Sequence, residues 1–157
     1  MSRILVATDG SPHAETAAAA AKRLFGPESE FIVLTVAHGP TAPSAYPAPM
    51  LAPGFDLFPV ETQRDIEASV AARAESIVAD IASIFGEQAE TRVDWGPSGR
   101  TICDTAVAVQ ADVIVLGDHG HGWLGDRLMG SVARYVTHHA PCGIYLHRDP
   151  ARDESAR

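Results

Sequence analysis

Short β-branched apolar runs alternate with amphipathic helical stretches along almost the whole chain, and this alternation leaves few folds open. The runs occupy residues 3–8 (RILVAT), 31–37 (FIVLTVA), 91–95 (TRVDW, the weakest), 112–117 (DVIVLG) and 143–147 (GIYLH). Most carry no interrupting polar residue. Strands buried on both faces read this way, which implies a parallel sheet covered by helices.

The helical stretches fill the gaps. Residues 12–24 open with Ser11-Pro12, a cap followed by proline at the first helical position, and continue through the alanine run 17–21. Residues 61–85 repeat Ile66, Val70, Ala74, Ile77, Ile81 and Ile84 at spacings of three and four, until Gly86. Residues 98–110 hold Ile102, Ala106 and Val109 on one face, and residues 131–139 end before Pro141. The pattern predicts a Rossmann-like, doubly wound α/β sheet with helices on both faces. In such sheets ligands sit at the carboxyl ends of the strands, where strand order reverses.

At 157 residues, the length suits one domain, expected over residues 1–148 and followed by a polar tail, 149–157. Residues 39–60 interrupt the pattern with six prolines and read as an extended loop, either a lid or a variable surface segment. The net charge of -8 argues against nucleic acid, whose binding footprint is normally basic. No apolar run is long enough to span a membrane and the start has no signal-peptide pattern, so the cytoplasm is the expected location. The two cysteines, Cys103 and Cys142, form no CxxC pair and point to neither a zinc site nor a disulfide framework.

The strongest chemical signal follows the fourth run. Gly117-Asp118-His119-Gly120 is followed, nine residues on, by Gly130-Ser131 at the start of the last helix. Glycines allow tight turns and close backbone approach, and free N–H groups at a helix N-terminus suit a phosphate. The same glycines can equally mark turns only, with Ser131 as a plain N-cap.

The stretch GDHGHGWLGDRLMGSVARYVTHHAPCGIYLHR, with ILVATDGS at the start and DVIVLG in the fourth run, resembles the universal stress protein family over residues 3–148. The pattern Gly-x-x-Gly, nine residues, Gly-Ser is similar to that of its ATP-binding branch. The resemblance implies five parallel strands in the order 3-2-1-4-5. It implies that Ala7, Thr8 and Asp9 line the adenosine end of a pocket and that Val36 meets the adenine edge through its backbone. Leu116, Gly117, His119 and Gly120 would border the ribose and phosphates, and Gly130, Ser131 and Val132 would supply phosphate donors. The implied ligand is ATP, with AMP or cyclic AMP as alternatives, and the implied assembly is a homodimer joined through the last strand, Gly143 to His147.

Asp118 departs from the family pattern, which favours a small or hydroxylic residue there. Its carboxylate would repel phosphates unless a metal or Arg127 offsets it; alternatively it points to solvent or shifts ligand preference. Asp9 could meet Mg²⁺ carried by the nucleotide, although an aspartate after a strand also caps the next turn. His119 and His121 alone make a weak metal motif, and no dedicated metal site is expected. Trp95 reads as core, and His138 and His139 as surface. No catalytic base is evident, so the implied role is a nucleotide-binding regulator of the stress response with slow hydrolysis at most. An interaction module without nucleotide and a nucleotide-using enzyme of related fold are the alternatives.

Overall fold

The computed structural model describes residues 1–39, 60–86, 89–118 and 129–148. Five strands and four helices alternate: β1 (Arg3–Ala7), α1 (Pro12–Phe25), β2 (Glu30–Ala37), α2 (Val60–Phe85), β3 (Ala89–Trp95), α3 (Ser98–Ala108), β4 (Val113–Gly117), α4 (Ser131–His139) and β5 (Gly143–His147). All four strand pairings are parallel, in the order β3-β2-β1-β4-β5. This is the predicted α/β architecture, with β1 and β4 adjacent at the point where strand order reverses.

Successive strand residues face opposite sides, so one sheet serves two cores. Ile4, Val6, Phe31, Val33 and Val115 pack with Ala17, Ala18 and Ala21 of α1 and Val78, Ile81 and Ala82 of α2. Leu5, Ile32, Leu34, Ile114 and Leu116 pack with Ile102 and Ala106 of α3 and Val136 of α4. Burying a Val, Leu, Ile or Phe side chain contributes about 1.5–3 kcal/mol, which is why the unbroken apolar runs lie in the middle of the sheet.

Local chemistry sets the helix ends. Ser11 caps α1 by accepting from the Ala14 N–H at 3.2 Å, and Pro12 follows it at N1. Gly86 takes φ +87° and its N–H bonds the Ala82 carbonyl, ending α2. α3 stops at Ala108 rather than 110 because Gln110 turns into the left-handed region (φ 53°). β1 stops one residue before Thr8, although the Thr8 N–H still bonds the Leu34 carbonyl at 2.9 Å. β3 starts at Ala89, earlier than the apolar pattern indicated, because its outer positions Glu90 and Thr91 are exposed.

Trp95 does not join the core: it is 46% exposed, being the last residue of an edge strand, where the covering layer ends. His138 and His139 are exposed. Nearly all of the proline-rich segment (40–59) and the whole of the tail (149–157) lie outside the described residues. Among the described residues, no helix is long and apolar enough to cross a membrane.

Candidate functional site

The carboxyl ends of β2, β1 and β4 open into a cleft of about 700 Å³, within the range of roughly 300–1,000 Å³ common for small-molecule sites. The sheet ends form its floor: Ala7, Thr8 and Asp9 after β1, Val36 and His38 at β2, and Leu116, Gly117 and Asp118 at β4. One wall is α2. This 26-residue helix is about 39 Å long at 1.5 Å per residue, much longer than the strands it covers. Its C-terminal end, with Val78, Ile81 and Ala82, therefore packs on the sheet while Val70, Arg73, Ala74 and Ile77, nearer its middle, reach the cleft. The opposite wall is the start of α3 (Ser98, Ile102) and of α4 (Gly130, Ser131, Val132, Ala133).

Of the site residues expected from the sequence, Ala7, Thr8, Asp9, Val36, Leu116, Gly117, Gly130, Ser131 and Val132 all line this one cleft. His119 and Gly120 lie outside the described residues, as do His121, Trp123 and Arg127.

The turn after β1 is held by its own side chains. The Thr8 hydroxyl accepts from the Gly10 N–H at 3.0 Å, the Asp9 carboxylate accepts from the Ser11 N–H at 3.0 Å, and Thr35 Oγ1 donates to the Thr8 carbonyl at 3.1 Å. Asp9 thus has the turn-capping role and also an exposed position on the cleft. Gly10 is required: its φ is +74°, and a Cβ there would come within 3.0 Å of Ile77 on α2.

Two expectations for the glycine pattern change. A Cβ on Gly117 would lie 3.1 Å from the backbone of His13, so this glycine admits the first turn of α1 against β4. The Gly130 N–H donates to the Asp118 carbonyl at 2.9 Å and is therefore not available to a phosphate in this conformation. Gly130 is the N-cap of α4 and Ser131 the first helical residue, so Ser131 is not an N-cap. The first-turn N–H groups of Ser131, Val132 and Ala133 have no partner within the helix, as helix geometry requires.

Asp118 does not point to solvent. It is 7% exposed, its N–H bonds the His147 carbonyl at 3.0 Å, and its carboxylate lies 3.6 Å from the Arg148 guanidinium. Arg148 therefore belongs to the folded edge rather than to a frayed tail. Burial without a charged neighbour would be costly for a carboxylate, and the arginine after β5 offsets it.

No sequence signal marked α2 as a cleft wall, or His38 and Ser98, whose Nε2 and Oγ are 3.0 Å apart, as lining it. Val70 and Ile77 belonged to the apolar stripe but read as core. Among the described residues, no group of three His, Cys, Asp or Glu is placed to hold a metal. Cys103 and Cys142 are free thiols in the α3/α4 core, and burial pushes both above the ordinary thiol range.

The model of the universal stress protein family matches residues 1–148. A Thermus aquaticus universal stress protein, encoded in the 3′ region of a QAH/OAS sulfhydrylase, is 31% identical over 146 residues, covering 92% of this chain and 97% of its own. Among solved structures, UspA from Lactobacillus plantarum is 26% identical with a TM-score of 0.68, over 94% of this chain and 97% of its own. A universal stress protein in complex with cAMP is 21% identical (TM-score 0.64, 94% and 97% covered). An Arabidopsis thaliana family protein with AMP bound is 16% identical (TM-score 0.63, 97% and 95% covered). With the family model matched across nearly its whole length and a full-length relative above 30% identity, the chain belongs to the universal stress protein family.

Proposed function

We propose that this protein is a regulatory nucleotide-binding protein whose cleft takes an adenine nucleotide. The observation that carries the reading is the cleft's polarity. Val36, Val70, Ile77 and Ile102 give apolar surface for a base, while the first turn of α4, with Ser131 and N–H groups unbonded within the helix, borders the same space. The cAMP and AMP held by two proteins of the same fold support adenosine as the common element. A regulator of this kind works by stabilising one conformation or assembly when its ligand is present.

ATP is the finer proposal, and Asp9 is the residue to meet a Mg²⁺ ion brought in with it. The Gly-x-x-Gly, nine residues, Gly-Ser pattern supports ATP, whereas Asp118 and the committed Gly130 N–H favour ligands with fewer phosphates. No side chain is assigned as a catalytic base. The β5 edge of the sheet supports the further proposal of a homodimer paired through Gly143–His147, since an unpaired edge strand invites a partner strand.

The test is to purify the protein without added nucleotide, denature it and identify released nucleotide by mass spectrometry, then titrate the protein with cAMP, AMP and ATP, with and without Mg²⁺. The reading predicts release or saturable binding of an adenine nucleotide, weakened about tenfold or more in Ser131→Ala, Val132→Pro. No binding of any of the three at millimolar concentration contradicts it.

A further inference from the structure

The α2 wall of the cleft, across from the start of α4, carries an arginine. The N-terminus of a helix carries only about half an elementary charge. In α4 one of its first N–H groups, that of Gly130, is committed to the Asp118 carbonyl at 2.9 Å. Two carboxylates line the same cleft, Asp9 and Asp118, the second already paired with Arg148, in a chain of net charge -8. A phosphate ester placed there carries at least one full negative charge, more than the partial charge of the α4 N-terminus balances.

Among the described residues lining the cleft, Arg73 is the one permanent cation. It stands on α2 three residues after Val70 and four before Ile77, so it shares the helix face that meets the cleft. The described ion pairs engage Arg3, Arg92, Arg100 and Arg148, and none engages Arg73. Among the described residues its guanidinium holds no carboxylate in place, and it borders a site whose other described charged groups are acids. A planar guanidinium also suits a phosphate better than a lysine would, because its fork donates two parallel hydrogen bonds.

We infer that Arg73 is the specificity-determining residue for the ligand's phosphate, an inference that rests on the adenine-nucleotide reading above. Arg73 pairs with the phosphate from the α2 wall while the first turn of α4 meets it from the other side. The apolar surface of Val70 and Ile77 holds the nucleoside irrespective of charge. Arg73 therefore governs the preference for a phosphorylated over an unphosphorylated nucleoside, and leaves nucleoside binding alone.

The experiment is calorimetric titration of the wild type, Arg73→Gln and Arg73→Lys with adenosine and with AMP, at low and at high salt. The wild type is expected to bind AMP about tenfold or more tighter than adenosine. Arg73→Gln is expected to weaken AMP about tenfold while changing adenosine less than about twofold, and Arg73→Lys to recover part of the loss. Added salt should shrink the wild-type preference. Equal loss of both ligands, or no loss of AMP, overturns the role of Arg73: the side chain would then only pack on α2 or solvate it. A wild type that binds adenosine and AMP equally overturns this inference alone. A wild type that binds neither at millimolar concentration overturns the nucleotide reading and the role of Arg73 with it.

Discussion

At the amino-terminal end of the sheet, charged and polar side chains bond to one another across the strands; at the carboxyl-terminal end they line a cleft. Arg3 shows the first pattern. Its Nε lies 2.9 Å from the Glu30 carboxylate, its Nη1 donates to the Val109 carbonyl at 2.7 Å, and its backbone N–H donates to the Asp112 carboxylate at 2.8 Å. The Asp112 N–H returns a bond to the Arg3 carbonyl at 2.8 Å, and the Asp112 carbonyl accepts from Gly143 at 3.1 Å. One arginine and one aspartate thereby join β1, β2, β5 and the end of α3. At the other end Thr8, Asp9 and Ser11 bond around their own turn, Asp94 accepts from Arg92 and Thr105 near the tip of β3, and Thr8, Asp9, His38, Ser98 and Ser131 border the cleft between α2 and α4. The amino-terminal end is thus closed by its own side chains, whereas the carboxyl-terminal end leaves a lined space large enough for a ligand.

Asp118 and Gly117 blur that division, since both sit at the open end and hold the structure together. The largest expected effect comes from there. Gly117→Val forces side-chain atoms onto the His13 backbone, and should destabilise the protein by about 2–3 kcal/mol in urea unfolding. If Gly117→Val unfolds normally but loses ligand, that glycine belongs to the site rather than to the packing of α1 on β4. Next is Arg3→Ala at the closed end. Its ion pair with Glu30 is partly exposed and screened, so most of the loss comes from the bond to Val109, about 1–2 kcal/mol in all. AMP affinity should stay within about twofold of wild type, and a larger change would mean that the two ends are coupled.

The smallest effect lies in the core between the ends. Burial raises the folded-state pKa of the Cys103 and Cys142 thiols. A raised pKa means that the folded state keeps its protons after the unfolded chain has released them. The contribution is fully present at pH 7 and is lost as pH rises from the ordinary thiol range, about 8.5, through the folded values. Urea unfolding at pH 7 and pH 10 should show a fall in stability that is reduced in Cys103→Ala, Cys142→Ala. An unchanged fall would assign the pH dependence to other groups.

The fold was legible because its signals are local and redundant. Apolar runs such as DVIVLG are buried on both faces, Ser11-Pro12 and Gly86 mark helix ends, and β-α alternation leaves little topological freedom. The lining of the cleft was legible where backbone position decides it, at Ala7 to Asp9, Val36, and Gly130 to Val132. What escaped depends on where a long element ends in space. The stripe on α2 has one period throughout, so periodicity alone does not tell that Ile81 meets the sheet while Ile77 and Val70 overhang the cleft. Trp95 belongs to an apolar run yet lies at the tip of an edge strand. The pairing of Asp118 with Arg148 joins residues thirty positions apart through the β4–β5 register, which pairs Gly117 with His147. The commitment of the Gly130 N–H to the Asp118 carbonyl is likewise invisible to a motif that counts only residue types.

The most direct measurement is a backbone amide NMR titration with AMP. Saturable shifts are expected to cluster at the carboxyl end, on Thr8, Asp9, Val36, Ser131, Val132 and Arg73, with Arg3, Glu30 and Asp112 unmoved. Shifts centred on the amino-terminal end, or no saturable shifts at millimolar AMP, would contradict the nucleotide reading of the cleft.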